Sequence, residues 1–433
     1  MDSSSLLLSG GKVLTPSMNI ITADVHIDQS SGVIEAIEAG LDPTRFETSL
    51  DVSGCVCMPG LVNAHTHIAM TLLRGYSDDK PLNAWLREDI WPVEAQLTTE
   101  HIRAGTELGL VEMIRSGTTA FADMYFEIPE TVAAVDAAGM RARLGHGIVT
   151  VDKEPAAARA DMEKGLTVAR EFQQAADGRI QTAFMPHSLT TVDDDLLADG
   201  AERATAENMY IHLHANETSD EVNPIVERTG ERPIQHAETL GLLGPETFLA
   251  HGVHLNMDEI ATLARTDTAV IHCPASNMKL ASGIAPVSHL REAGVTVGLG
   301  TDGVASNNDL DMFSELQDAA LLAKLGADDA AALPAGEAIK MATADSAAAI
   351  SLPGGRLIEG GVADIAVVDL DTPHFTPQHD VVSHLAYVAT GADVRHTICD
   401  GSILMRDRTL QTLDAELIQD TAETAATDLL ARI

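Results

Sequence analysis

From Leu61 to Asp302 the chain repeats one pattern: a short apolar run, a polar residue near its end, then a longer amphipathic segment. The apolar runs are Leu61–His67, Thr119–Asp123, Ala142–Gly147, Ile180–His187, Tyr210–His214, Phe248–His251, Ala269–Cys273 and Thr296–Asp302. Segments of helical period separate them, among them His101–Ser116, Thr131–Ala138, Ala156–Ala175 and Met257–Ala264. Alternating strands and helices build a parallel sheet covered by helices, and eight such units are the number that closes it into a barrel. The predicted fold class is α/β, a (β/α)8 TIM barrel.

Both ends of the chain break the pattern. Residues 5–57 hold β-rich runs (Gly11–Leu14, Asp24–Asp28, Val33–Ile37, Cys55–Met58) with Gly and Asp turns, and residues 354–410 hold Asp364–Leu370 and Arg395–Leu404. Neither end is long enough for a comfortable core alone. The economical expectation is one small β-sandwich domain built from both ends, 1–57 plus 354–412. The barrel, 58–353, is inserted in it, and a terminal helix occupies 413–433. Four cysteines make no disulfide framework. Cys55 and Cys57 lack a second metal-ligand pair and read as small buried hydrophobes.

Charge narrows the partners. Lys and Arg number 27 against 65 Asp and Glu, so the formal charge is 27 − 65 = −38. Nucleic acid and anionic membrane surfaces both require local positive charge, and both are excluded as partners. The acid is dispersed, lysine is scarce and large aromatics are few, as on a halophilic protein kept soluble at high salt, where repulsion is screened within a few Å. No cation precedes the apolar run before Gly11, and no uncharged apolar stretch approaches the ~20 residues of a membrane span. The expected location is cytoplasmic.

In a barrel of this kind the strand C-termini supply the active site. His65-Thr66-His67 places two imidazoles on one face at strand period 2. Such a pair alone is also common in packed cores. Its context is more telling: His214 ends the fifth strand, in His212-Leu213-His214-Ala215-Asn216-Glu217, and Asp302 ends the eighth, in Gly300-Thr301-Asp302-Gly303. Three imidazoles and a carboxylate suit one divalent ion, Zn2+ first and Fe2+ or Mn2+ as alternatives, with a position left for water. Phosphate-cradling loops of Walker type, dinucleotide fingerprints and nucleic-acid modules are absent.

The segments PGLVNAHTHIAMTLLRGYSDD, HLHANETSDEV, HGVHL, HCPASNMKL and LGTDGVASNNDLDMF resemble, in order, the motifs of the amidohydrolase superfamily. The fit is best to its cytosine deaminase and chlorohydrolase-like branch, and within that to deaminases of 5′-substituted adenosines. The likeness spans nearly the whole chain. It implies that His65, His67, His214 and Asp302 are the metal ligands, and that His212 is a core residue or stands behind them. Glu217 would protonate N1 of the purine, His251 would steer the attacking water, and Asp302 would take and return its proton. Glu94 would grip the ribose hydroxyls and His187 would contact substrate. No Lys ends the fourth strand, so one metal rather than a bridged pair is implied.

The implied reaction converts methylthioadenosine, S-adenosylhomocysteine, 5′-deoxyadenosine or adenosine to the inosine analogue plus ammonia. The implied partners are that small nucleoside and further copies of the chain, as dimers or tetramers. Two departures touch the substrate rim: His146 stands where relatives have an Arg, with Arg159 near in sequence, and Pro186-His187-Ser188-Leu189-Thr190 replaces a P-H-[AS]-P-Y pattern. His146 is therefore also a substrate-binding candidate. Deamination of guanine or another aryl amine, or triazine dechlorination, would use the same site. A non-catalytic scaffold would require a missing ligand, and all are present. His272 reads as loop architecture, and Ser276, Asn277 and Ser306 to Asn308 as shapers of the loops after the last two strands. His101, His236, His254, His289, His374, His379, His384 and His396 read as surface or packing residues.

Overall fold

The computed structural model describes residues 4–433. The first three residues, where the 1–57 segment and the stretch read as lacking a leader begin, lie outside the described range. The central sheet is parallel and closed. Its strands are β1 (Leu61–His67), β2 (Thr118–Tyr125), β3 (Arg141–Ile148), β4 (Ile180–Pro186), β5 (Tyr210–Ala215), β6 (Thr247–His251), β7 (Ala269–His272) and β8, which comes in two pieces.

The break in β8 corrects the expectation of one continuous strand from Thr296. Val297–Leu299 pairs with β7, whereas Asp302–Gly303 pairs with β1 beside Thr66 and His67. Gly300 lies between the two pieces. A Cβ there would come within 2.7 Å of the His65 backbone nitrogen, so only glycine lets the chain cross so close to the strand it is about to join. Asp302 then adopts a left-handed φ of 62°, which turns its carboxylate to the barrel mouth.

The two chain ends form a β-sandwich. One sheet holds Val33–Glu38, Asp24–Asp28, Ser5–Ser9 and Thr48–Asp51; the other runs Thr409–Leu410, Ser402–Arg406, Val394–Cys399, Ile365–Asp369, Cys55–Pro59, Lys12–Leu14 and Ile20–Thr22. Strand alternation explains how the second sheet joins two cores. Val13, Cys55, Cys57, Ile365 and Val367 pack between the sheets, and Leu14, Val56, Met58, Ala366 and Val368 pack toward the barrel. All four cysteines are buried and free. Arg395–Leu404 is a hairpin rather than one strand, because Asp400-Gly401 turns with positive φ at both residues.

The C-terminal helix, Ala415–Leu430, packs on the helix Thr99–Arg115, and Leu429 enters the apolar cluster of Ala69, Met70, Trp85 and Ile90 near the barrel mouth. No helix among the described residues is long and apolar enough to cross a membrane. Among the described residues eight acidic residues are fully buried (Asp24, Asp123, Glu217, Glu259, Asp302, Glu315, Asp364, Asp393), so most of the negative charge lies at the surface.

Candidate active site

His65, His67, His214 and Asp302 converge at the C-terminal mouth, their ligand atoms all within 4.8 Å of one another. The hydrogen bonds behind them settle which nitrogens carry protons. His67 Nδ1 lies 2.6 Å from the Met124 carbonyl and His214 Nδ1 lies 2.7 Å from the His187 carbonyl. A carbonyl only accepts, so both Nδ1 atoms donate and both Nε2 atoms present lone pairs. His65 follows by one more step. His212 Nδ1 donates to the Phe248 carbonyl at 2.8 Å, so His212 Nε2 accepts from His65 Nδ1, also at 2.8 Å.

Four acceptor atoms therefore face one small space with no donor between them, and His65 Nε2 is buried without a hydrogen-bond partner. Lone pairs brought together in this way repel unless a cation lies among them. The donor set, three nitrogens and one carboxylate oxygen, fits a borderline divalent ion. Without one, burial works against charge on His67, but Asp302, 3.3 Å away, outweighs it and raises the imidazole to about 9. Burial lowers His65 to about 4, against the pull of Asp302. Burial alone would raise Asp302, yet the imidazoles of His65 and His67, each 3.3 Å from its Oδ1, pull it well below the usual carboxylate range.

The outer oxygen of Asp302 is also held. Asp302 Oδ2 accepts from the hydroxyls of Ser276 and Ser306, both at 2.7 Å. These serines come from the loops after β7 and β8, and Glu315 ties the loops together by accepting from the Ala275 backbone N–H and the Asn307 amide. Asn277, next to Ser276, accepts from His251 Nδ1 at 3.0 Å and leaves the His251 Nε2 lone pair facing Glu217, whose Oε2 is 3.7 Å away. Sequence reasoning read Ser276, Asn277 and Ser306 only as loop formers. The partners of Ser276 and Asn277 come from other strands, 26 residues away, so no local spacing announces these contacts; Ser306 reaches Asp302 four residues back across the turn after β8.

Glu217 follows His214 past the end of β5, and its backbone N–H donates to the Glu221 carboxylate at 2.8 Å. Burial raises the Glu217 carboxyl, with His251 opposing and Asp302 adding to the shift. Glu94, from the segment after β1, meets the same space. Tyr125 at the end of β2 donates to it at 2.7 Å, and burial pushes its carboxyl up to about 7 despite that bond. Burial lowers His187 to about 3, so its ring is neutral, and its Nδ1 meets Thr191 Oγ1 at 3.0 Å. Tyr125 had no place in the sequence reading.

A cavity of about 460 Å³ joins these groups: His67, Glu94, His187, His214, Glu217, His251 and Asp302 all line it. His146 does not. It is buried behind the wall, its Nε2 2.9 Å from Asp161. Its sequence neighbour Arg159 lies exposed on the helix Pro155–Glu171 and is also outside the lining. His272 is buried below the mouth, and His101 and His254 serve hydrogen bonds that tie elements together, to Asp428 and to the Ser282 carbonyl.

The profile of the amidohydrolase family matches residues 56–404, which takes in every residue placed at the site. The chain belongs to the amidohydrolase family. This amidohydrolase is 57% identical, over the full length of both chains, to a 5-methylthioadenosine/S-adenosylhomocysteine deaminase of Haloquadratum walsbyi. It is 42% identical to a 5′-deoxyadenosine deaminase of Methanothermobacter thermautotrophicus, covering 99% of this chain and 100% of that one. Among solved structures, a zinc-bound adenosine deaminase from Xanthomonas campestris superposes with a TM-score of 0.92 at 35% identity, over 98% of each chain.

Proposed function

We propose that this amidohydrolase is a hydrolytic deaminase of adenosine-type nucleosides carrying different 5′ substituents, and that its metal is Zn2+ held by His65, His67, His214 and Asp302. The observation that carries the reading is the pairing of an acceptor-only N3O cluster with a buried carboxyl, Glu217, in one cavity. When bound, the ion supplies Lewis acidity and lowers the pKa of water to about 7. The residues supply the remainder. Glu217, whose carboxyl burial raises, supplies the proton that N1 of the purine needs as C6 is attacked, so charge does not build on the ring. His251 presents a fixed Nε2 lone pair to the attacking water, oriented by Asn277. Asp302 carries the proton that the departing amine takes up as ammonia.

Glu94 favours a nucleoside over a free base. A half-buried carboxyl at the cavity wall, already bound to Tyr125, offers its remaining acceptor sites to vicinal hydroxyls, which guanine and triazines lack. The working boundaries that go with this reading are a barrel over 58–353, a composite sandwich over 1–57 plus 354–412 and a helix over 413–433. The test is direct. Zinc-loaded protein in concentrated KCl is mixed with methylthioadenosine, S-adenosylhomocysteine, 5′-deoxyadenosine and adenosine in turn, and conversion to the inosine analogue is followed by ultraviolet absorbance and ammonia release. Failure on all four sinks the proposal.

A further inference from the structure

The cavity wall includes the turn after β3, and this turn carries charges that deamination does not use. Lys153 is the one Lys or Arg lining the cavity among the described residues, and Asp152 lines it beside Lys153. The turn is built rather than loose. The Thr150 and Val151 N–H groups both donate to the Thr191 carbonyl, at 2.8 and 3.0 Å, and the Lys153 N–H donates to the Thr150 carbonyl at 3.1 Å. Asp152 sits at a left-handed φ of 62°, a conformation aspartate tolerates.

From the other side, Asp161 Oδ2 accepts from the Val149 N–H and from Lys153 Nζ, both at 3.0 Å, while Oδ1 holds His146. Asp161 thus fixes the lysine at the wall and removes the histidine from it. One ammonium hydrogen is taken by Asp161, others are free, and the Asp152 carboxylate has no side-chain partner among the described residues.

We propose that Asp152 and Lys153 recognise a zwitterionic α-amino-acid tail on the 5′ position of the nucleoside, Lys153 taking its carboxylate and Asp152 its ammonium. The inference rests on the deaminase reading. Ammonium and carboxylate on one carbon match two opposite charges on adjacent residues. A methyl-ended tail has no group for either and would meet the apolar part of the same wall, Leu82, Trp85, Val149 and Val151. On a surface of net charge −38 an anionic carboxylate needs a local cation, and this one is pinned in place. Contact pairs survive the salt such a chain tolerates, because a screening length of about 3 Å at 1 M is no shorter than the contact itself.

The experiment compares kcat/KM for S-adenosylhomocysteine and methylthioadenosine in the full-length, zinc-loaded protein. Lys153→Met is expected to lower the ratio of the first to the second about fivefold or more, and Asp152→Asn to lower it by a smaller factor, in line with an exposed charge pair. Lys153→Arg is expected to keep the ratio. Unchanged ratios in both Lys153→Met and Asp152→Asn, or equal losses on both nucleosides, would overturn the inference. Calorimetric affinities of the zinc-stripped protein for the same two nucleosides read the contrast without turnover. A protein that binds both with this contrast and deaminates neither would keep the tail site and lose the deaminase reading.

Discussion

The floor of the cavity and its rim are held by different means. On the floor, each reactive atom is backed by a second bond on its far side: His65 by His212, His67 by Met124, His214 by His187, Asp302 by Ser276 and Ser306, His251 by Asn277. These partners sit on strand ends or in the loops that leave them. The rim is made of segments lying outside the sheet, closed by apolar contacts of Leu82, Trp85 and Trp91 and by exposed ion pairs such as Lys80–Asp89 and Lys153–Asp161. A floor tied twice keeps one chemistry; a rim tied by surface charges can change its substrate without disturbing the metal.

The contrast can be broken most severely at Glu217. Glu217→Gln keeps the shape and loses the proton, so kcat should fall by a factor of about 10²–10⁴ with zinc content unchanged. Turnover near the wild-type rate would move the proton donor elsewhere. In the proposed reaction Glu217 acts as the acid, and burial raises its carboxyl, so kcat should also decline as pH rises through that raised pKa.

Next comes the support of Asp302. Replacing Ser276 and Ser306 together by Ala should weaken zinc about 10–100-fold in a chelator competition, as loss of a ligand's outer partners does elsewhere. An unchanged zinc affinity would mean that the floor does not depend on its second bonds.

At the rim, Glu94→Gln should lower kcat/KM for nucleosides by about tenfold, the worth of a charged hydrogen bond, and leave any free-base activity unaltered. Its stability effect has a definite sign. Burial lifts Glu94 to about 7 from an unfolded value near 4.3, so within that window the folded state holds the proton more tightly and stability is lost as pH rises. Glu94→Gln should therefore match the wild-type thermal midpoint at pH 4 and exceed it at pH 8. The smallest effect concerns the exterior. Lowering KCl from about 2 M to about 0.1 M lengthens screening from under 3 Å to about 10 Å and should lower the midpoint by several degrees. Full stability in dilute buffer would refute the high-salt reading of the composition.

Much of this site is legible in the sequence. His65 and His67 at period 2, His214 with Glu217 three residues on, and Asp302 in its Gly-Thr-Asp-Gly turn are local patterns, and local patterns survive in one dimension. Tyr125, Asn277 and Ser276 left no such mark. Each meets a partner from a different βα unit: Tyr125 meets Glu94 across 31 residues, and Ser276 meets Asp302 across 26. Ser306 lies only four residues from Asp302, and their contact depends on the turn the chain makes between them. The fate of His146 was hidden too, within a single βα unit. At the end of a strand it looked ready to face substrate, and Asp161, 15 residues on in the helix that follows the strand, draws it behind the wall.

The amino-acid pattern by itself determined that a closed parallel barrel would form, that both ends would build a β-layer and that metal-ligating side chains would gather at one mouth. Periodicity dictates which face each residue takes, and eight repeats dictate closure. Tertiary structure decided the rest: that β8 breaks at Gly300 to reach β1, that every ligand imidazole is fixed in one tautomer, and that Lys153 rather than His146 stands at the cavity wall. Those outcomes depend on which loops become neighbours when the sheet closes, and neighbours across a closed barrel are set by geometry rather than by spacing along the chain.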